Sequence, residues 1–286
     1  MNSTSELAPV LVTGGTGRTG TRVARRLTDL HTPVRIGTRN SVTPLDWHNP
    51  TTWAPALDGV RAAYLCYSPD LAFPGVSGLM ADFSGAAAEA GVQRLVLLSG
   101  RGEDGARAAE DAVRASGLEW TVLRCAWFAQ NFSEHFLLGP VRRGRLMLPA
   151  NGGIAEPFLD LDDLAENAAD SLTGDSHVGK VLELTGPRLL TLQEIADELS
   201  TATGRSIEFV PCTAQEFAAD LAPDGIPTEE ALPLAGLFTE ILDGRKAALT
   251  TDLARALSGK PTDFTTYATR TAATGVWAGP AEVSLR

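Results

Sequence analysis

The 286-residue sequence has few cysteines, no long apolar run and no excess of positive charge. The three cysteines, Cys66, Cys125 and Cys212, lie far apart and lack the spacing of a metal site, so neither a disulfide framework nor a bound metal is expected. No stretch approaches the roughly 18 apolar residues that span a bilayer, and the N-terminal residues do not resemble a secretion signal. A formal net charge of −11 argues against nucleic acid or an anionic membrane as the partner. We therefore expect a cytoplasmic protein.

Short apolar runs alternate with helical patterns over the first two thirds of the chain. The Ala- and Arg-rich segments 18–30, 76–91 and 104–116 have the spacing of helices. Strands are predicted at residues 9–13, 33–37, 60–67, 94–99, 120–124 and 181–185. Such alternation favours an α/β fold, a Rossmann-like doubly wound parallel sheet with helices on both faces.

From about Cys125 the sequence changes in character. Residues 127–138 (WFAQNFSEHFLL) are aromatic and have helical spacing, with Phe128, Phe132 and Phe136 at intervals of four. Residues 191–203 predict an amphipathic helix that begins with a capping box and ends before Gly204. This half of the chain is expected to form a lobe that folds over the edge of the sheet.

The segment VLVTGGTGRTGTRVARRL at residues 10–27 carries a glycine-rich motif between a predicted strand and a predicted helix. Gly14 permits a tight turn, Gly17 lets a pyrophosphate approach the backbone, and Gly20 permits close packing of the helix on the strand. Glycines also occur in ordinary tight turns, but this position favours a dinucleotide site at the helix N-terminus. The residues expected to bind the cofactor here are Thr13, Gly14, Gly15, Thr16, Gly17, Arg18, Thr19 and Gly20.

The sequence lacks the acidic residue that binds the ribose 2′-hydroxyl of NAD after the second strand, since no acid lies between Leu30 and Leu45. Arg18 in the glycine loop and Arg39 at the strand end instead favour a bidentate clamp on a 2′-phosphate. NADPH is therefore the expected cofactor, with NADH weaker. Arg22, Arg25 and Arg26 are interpreted as a solvated helix face. Tyr67 and Ser68, at the end of the next strand, are further candidate cofactor contacts, although an aromatic residue there is more often a packing residue.

These motifs resemble the NmrA-like branch of the atypical short-chain dehydrogenases/reductases. The resemblance covers most of residues 8–220 and rests on TGGTGRTG (13–20), Arg39, LSG (98–100), AAEDAVRASGLEWTVLR (108–124), NF (131–132), PFLDLDDLAENAA (157–169) and KVLELTGPRLLTLQEIADELSTATGR (180–205). It implies an NADP-binding Rossmann core at residues 1–150, with further core strands from about 155 to 186. Residues 187–286 would then form mainly a lobe that covers the substrate.

The resemblance also exposes a departure. Ordinary short-chain reductases place a tyrosine about a dozen residues after the serine and a lysine four residues later, positions that fall here near Ala112 and Ser116. Ser99 matches the serine, and its hydroxyl is expected to donate a hydrogen bond to a substrate carbonyl. We expect no indispensable proton donor within residues 99–117, since Glu110 and Asp111 lie on the following helix, where a carboxylate usually faces solvent or caps charge. The proton would come from water or from a hydroxyl of the substrate.

The aromatic segment supplies a candidate substrate pocket of Ser99, Gly100, Trp127, Phe128, Asn131 and Phe132. A wall of aromatic rings suits a flat aromatic substrate. An aromatic stripe packed into the core is an equally good interpretation. His135 is more often a surface histidine than a catalyst.

The expected function is an NADPH-dependent ketoreductase that acts on an aromatic or polycyclic small molecule, as a monomer or homodimer. The composition, rich in Ala, Gly and Arg at the expense of Lys, resembles that of actinobacterial proteins, among which members of this family often tailor secondary metabolites. Ketoreductases that tailor angucyclinone (simocyclinone-type) aromatic polyketides resemble this chain in lacking the tyrosine and the lysine. Two alternatives stay open: a quinone, azo or iminium reductase, and a non-enzymatic redox sensor that binds NADP and regulates a transcription factor.

Overall fold

The computed structural model of the protein describes residues 8–150 and 152–278. The outer ends of the two predicted domains, residues 1–7 and 279–286, lie outside the described residues. Within the described ranges, no helix has the length and apolar character needed to cross a membrane.

The chain alternates between strands and helices as far as residue 125 and is mainly helical after residue 212. The strands are β1 (Val10–Thr13), β2 (Val34–Gly37), β3 (Ala62–Leu65), β4 (Arg94–Gly100), β5 (Glu119–Cys125), β6 (Arg145–Leu148), β7 (Ala155–Glu156), β8 (Lys180–Leu184), β9 (Leu190–Thr191) and β10 (Glu208–Pro211). The α-helices are α1 (Arg18–Asp29), α2 (Trp53–Leu57), α3 (Val76–Glu89), α4 (Arg107–Arg114), α5 (Asn131–Glu134), α6 (Leu138–Arg143), α7 (Leu161–Thr173), α8 (Leu192–Thr203), α9 (Ala214–Leu221), α10 (Thr228–Ile241), α11 (Asp252–Ala256) and α12 (Phe264–Ala272).

The described chain divides into two compact units, each with its own core. The first ends at Cys125 and resumes over Leu161–Leu184, and the second contains Ala126–Asp160 and the described residues from Thr185 onward. This division differs from the bounds expected from the sequence. Residues 126–150 belong to the second unit, and of the strands between 155 and 186 only β8 joins the main sheet.

Unit 1 is a six-stranded parallel sheet of order β2-β1-β3-β4-β5-β8. Helices α2, α3 and α4 pack on one face, and α1 and α7 pack together on the other. The residues of β1 and β3 are buried throughout, as expected of strands covered on both faces. The doubly wound Rossmann-like fold is therefore confirmed.

The basic face of α1 is not simply solvated, as the sequence suggested. Arg22 and Arg25 both pair with Asp162 of α7, at 3.1 and 3.0 Å, and Arg26 lies 3.5 Å from Glu166 one turn further along. The excess positive charge of α1 is thus matched by the acidic side of the helix packed against it.

Unit 2 is built around an aromatic core and two small two-stranded sheets, β10-β6 and β7-β9. The continuous helix predicted for residues 127–138 is absent. Trp127 and Ala129 form backbone hydrogen bonds with Leu159, which uses the groups that a helix would need, and His135 is extended. Only α5 and the start of α6 are helical in this stretch. Long-range pairing therefore overrides the local period.

Helix α8 of unit 2 begins with the expected capping box. The Glu194 amide donates to Thr191 Oγ1 at 3.2 Å, and the Thr191 amide donates to Glu194 Oε2 at 2.7 Å. The helix buries Leu192, Ile195 and Leu199 along one face. The cap therefore fixes where the helix starts, and its apolar face fixes how it docks.

Thr191→Ala is expected to destabilise this helix by about 0.5–2 kcal/mol, because the Glu194 amide loses its acceptor. Amide hydrogen exchange at Glu194 should accelerate, and the thermal midpoint should fall. Thr201→Ala is the matched control, since Thr201 lies on the exposed side of the same helix and donates to the backbone oxygen of Asp197, without a role at the helix start. Equal effects of the two substitutions would contradict the capping role.

Candidate active site

The glycine loop lies between β1 and α1, where the backbone approaches itself closely. Gly14 has a φ of +61°, which favours glycine, and its amide donates to Gly37 O of β2 at 3.0 Å. A Cβ on Gly20 would lie 2.3 Å from the carbonyl oxygen of Gly14. A Cβ on Gly15 would lie 2.9 Å from Ile36 Cγ2. Only glycine at position 20 lets α1 start this close to the end of β1.

The N-terminus of α1 has the features of an anion site. Gly17 precedes the helix and supplies no side-chain cap, and the first turn contains no acidic residue. Thr16 and Gly17 are exposed. Because the first amides and the positive end of the helix dipole face outward without a side-chain acceptor, these residues fit a dinucleotide pyrophosphate.

Two threonines of the predicted cofactor site tie the loop to the end of β3. The Cys66 amide donates to Thr13 Oγ1 at 2.8 Å, and Thr13 Oγ1 donates to Tyr64 O at 2.9 Å. Thr19 Oγ1 lies 3.5 Å from Cys66 Sγ. Burial raises the pKa of the Cys66 thiol, so this group stays protonated near neutral pH. Thr13 and Thr19 thus support the loop, and their contact with a cofactor stays a prediction.

The arginines in and after the glycine loop differ in whether their guanidinium groups already bond to other residues of the protein. Arg35 donates to Ala56 O and Asp58 O, at 2.9 and 2.6 Å. Arg18 is half-buried. Arg39 is exposed and makes no hydrogen bond or ion pair within the described ranges. Its guanidinium is therefore available to an anionic ligand at the end of β2.

Tyr67 and Ser68 follow β3 at the same edge of the sheet. Tyr67 is half-buried against Trp47, with ring centroids 5.8 Å apart, and its hydroxyl lies 3.5 Å from His48 Nε2. Ser68 is exposed. The packing interpretation of Tyr67 is thus correct at least in part, and its contact with a cofactor stays a prediction.

Ser99 closes β4, but its hydroxyl is used inside the protein. Ser99 Oγ donates to Glu110 Oε1 at 2.7 Å, and both residues are buried, at 4% and 1% exposure. The expected donation from Ser99 to a substrate carbonyl is therefore not available in this arrangement. Of the two places expected for these carboxylates, Glu110 does not face solvent but pairs with a charge, that of Arg124. Asp111 is exposed and pairs with Arg114.

An arginine from β5 holds Glu110 in place. Arg124 Nε donates to both carboxylate oxygens of Glu110, at 2.9 and 3.1 Å, and its Nη2 makes a further short contact. These hydrogen bonds raise the pKa of Arg124. Arg124 also lies 3.9 Å from Glu183, which accepts a hydrogen bond from Arg101 Nε at 3.0 Å. Alternating charges thus extend from α4 across β5 to β8.

A pair of carboxyl groups, Asp70 and Glu103, lies beside Gly100. The carboxyl group of Glu103 occupies the space that a Cβ on Gly100 would need. Glu103 is hydrogen-bonded to Asp70, and burial raises the pKa of Asp70. The two carboxyl groups thus lie together at the end of β4. Sequence reasoning missed this pair because residues 70 and 103 meet only through the loops after β3 and β4.

The remaining predicted pocket residues belong to unit 2. Trp127 and Phe128 are half-buried, and Asn131 is buried. Phe132 is fully buried, with its ring 5.7 Å from those of Phe158 and Phe264. Phe132 is therefore a core residue of this unit and not a wall for substrate, as the packing interpretation held.

Comparison with known proteins agrees with these features. A family model described as NAD(P)H-binding matches residues 14–141. Agroclavine dehydrogenase of Claviceps fusiformis is 30% identical over 280 residues, which cover 90% of this chain and 95% of that protein.

Two solved structures share the fold. Triphenylmethane reductase of Citrobacter sp., crystallised with NADP(H), has a TM-score of 0.79 and 23% identity, covering 92% of this chain and 99% of that one. An NADPH-dependent quinone oxidoreductase of Escherichia coli, complexed with NADPH, has a TM-score of 0.75 and 23% identity, covering 91% and 99%. The chain thus carries an NAD(P)H-binding domain.

Gly20→Ala is expected to weaken the binding of NADPH and NADH alike, by about tenfold or more, because the new methyl group forces α1 away from the loop. Titration of intrinsic fluorescence with each cofactor measures this loss. Gly85→Ala in α3 is the control, since a Cβ there meets nothing within 4 Å. Unchanged affinity in the Gly20 variant would mean that the loop does not hold the cofactor.

Arg39→Ala is expected to weaken NADPH but not NADH, because only NADPH carries the 2′-phosphate. Loss of one charged hydrogen-bond partner is worth about 1.5–3 kcal/mol, or roughly ten- to a hundredfold in Kd. Arg25→Ala removes an exposed arginine that already pairs with Asp162 and should leave both affinities unchanged. Equal losses for the two cofactors in the Arg39 variant would refute the assignment.

Proposed function

Since the chain belongs to the NmrA-like branch of the atypical short-chain dehydrogenases/reductases, we propose that it is an NADPH-dependent reductase of a carbonyl group in an aromatic or polycyclic small molecule. The observation that supports this most is the glycine loop, closed by Gly20 and followed by an uncapped helix N-terminus. When bound, the nicotinamide supplies the hydride. The exposed Arg39 at the end of β2 supports the choice of NADPH over NADH.

The residues of unit 1 favour substrates that need little acid catalysis. The hydroxyl of Ser99 donates its hydrogen bond to Glu110, and Glu110 forms an ion pair with Arg124. Neither group is therefore placed to protonate an alkoxide. We propose that the proton comes from water or from a hydroxyl of the substrate.

Quinones, azo compounds and iminium ions are the alternative substrates, because they accept hydride without an acid that stabilises an alkoxide. The names of the relatives support this alternative: one is a dehydrogenase of agroclavine, and another is a quinone oxidoreductase. Tailoring of aromatic polyketides is the narrower form of the ketone proposal. It rests on composition and on the lack of the tyrosine and lysine, and not on these relatives.

NADPH oxidation should occur with at least one member of a panel of naphthoquinones, cyclic iminium salts and polycyclic aromatic ketones. Absorbance at the nicotinamide band measures the rate. Mass spectrometry identifies the product, which is two hydrogens heavier for a ketone or quinone and one hydrogen heavier for an iminium cation. Gly20→Ala is the control, since weaker cofactor binding should lower turnover at subsaturating NADPH without a change to the substrate site. Tight NADPH binding with no turnover on any compound would instead favour the redox sensor.

A further inference from the structure

The hydroxyl of Ser99 has a fixed hydrogen-bond polarity, meaning that the direction in which it donates its proton is set by the protein. A hydroxyl holds one proton and two lone pairs, and the proton of Ser99 lies on the 2.7 Å bond to Glu110 Oε1. Any second partner of Ser99 Oγ must therefore supply its own proton. Ser99 can accept a further hydrogen bond but cannot donate one.

Three features prevent this bond from reversing. An ionised carboxylate only accepts hydrogen bonds, and Glu110 meets Arg124 on both oxygens. Glu110 is 1% exposed, so no solvent replaces Ser99 if its hydroxyl turns away. Turning it would leave Glu110 Oε1 with Arg124 Nε as its one remaining donor and would lose a hydrogen bond to a charged group, which is worth more than a bond between neutral groups.

Ser99 also stands at the edge of the sheet where ligands bind in open α/β folds. It shares a face of β4 with Leu95 and Leu97, which lie in the core beneath α3 and α4. It is the last residue of that row before β4 ends at Gly100. In the sheet order, β3 separates β4 from β1, whose end carries the glycine loop.

We propose that Ser99 is a hydrogen-bond acceptor for the substrate, and that Glu110 is the positioning residue that fixes this polarity. The matching ligand is a small molecule with an O–H or N–H group close to the reducible carbon, such as a phenol, an enol or a protonated imine. A carbonyl oxygen without a proton could not form a hydrogen bond with Ser99, because both oxygens would then be acceptors and would repel each other. This inference rests on the proposed function and names the substrate class of the same site.

The test compares matched pairs of substrates that differ only in the donor. Hydroxy- and methoxy-substituted 1-tetralones and 1,4-naphthoquinones are assayed for each ring position. For at least one position, wild type should prefer the hydroxy compound about five- to tenfold in kcat/KM, the worth of one hydrogen bond. Ser99→Ala should bring this ratio to about one.

The substitution Glu110→Gln tests directly whether Glu110 sets the hydrogen-bond direction of Ser99. The amide oxygen takes the place of Oε2 and still accepts from Arg124, while the NH2 takes the place of Oε1, gives up the bond from Arg124 Nε and donates to Ser99. This releases the proton of Ser99 for donation. The ratio should then fall to one or reverse in favour of the methoxy compound. Asp111→Asn, one residue along on the exposed side of α4, should keep the wild-type ratio. A merely structural role of Glu110 would lower both rates and leave their ratio unchanged.

Binding gives a readout without turnover. Dissociation constants of each pair for the protein saturated with NADP⁺, measured by calorimetry, should show the same preference and the same loss in Ser99→Ala. A ratio near one at every ring position in wild type would overturn the inference, as would a preference that survives Ser99→Ala. The latter would point to the hydroxyl acting only as a proton source. Failure of the proposed function is distinct, because no compound would then oxidise NADPH, while the binding ratios still decide the role of Ser99.

Discussion

The close approach of α1 to the end of β1 is the constraint on which the first unit depends. Position 20 has no room for a side chain beside the carbonyl of Gly14, so the helix begins directly beyond the strand. That start leaves the helix N-terminus without a side-chain cap or an acid. Thr13 then ties the end of β1 to β3 through the Cys66 amide. The tight loop and the uncapped helix N-terminus thus follow from one backbone contact.

Much of this unit could be predicted because its signals are local. Strands buried on both faces must be apolar at nearly every residue, so β1, β3 and β4 are recognisable without knowledge of their partners. The glycine motif is equally local, since each glycine has a steric reason within ten residues. The predicted strands therefore agree with the observed ones to within about two residues at most ends.

The errors have the opposite origin, because each depends on a residue far away in the sequence. Phe128 and Phe132 have helical spacing, but pairing with Leu159 removes the backbone groups that a helix needs. Glu110 looks like a surface carboxylate on α4 until Arg124 from β5 is placed beside it. The arginines of α1 look solvated until α7 packs against them. Periodicity predicts on which face of a helix a residue lies, but not which charged residue of another element packs against that face.

The buried pair of Glu110 and Arg124 is not explained by stability alone. Burying two charges costs several kcal/mol, and apolar residues of similar volume often replace such pairs without loss. What an apolar pair cannot do is orient a hydroxyl. A leucine at position 110 would let the Ser99 proton rotate toward any acceptor, including a carbonyl, whereas a carboxylate held on both oxygens by Arg124 accepts that proton in one direction only. A serine hydroxyl can otherwise donate or accept a hydrogen bond. The ion pair therefore leaves Ser99 able only to accept one from a ligand, at the sheet edge where α/β folds bind their ligands.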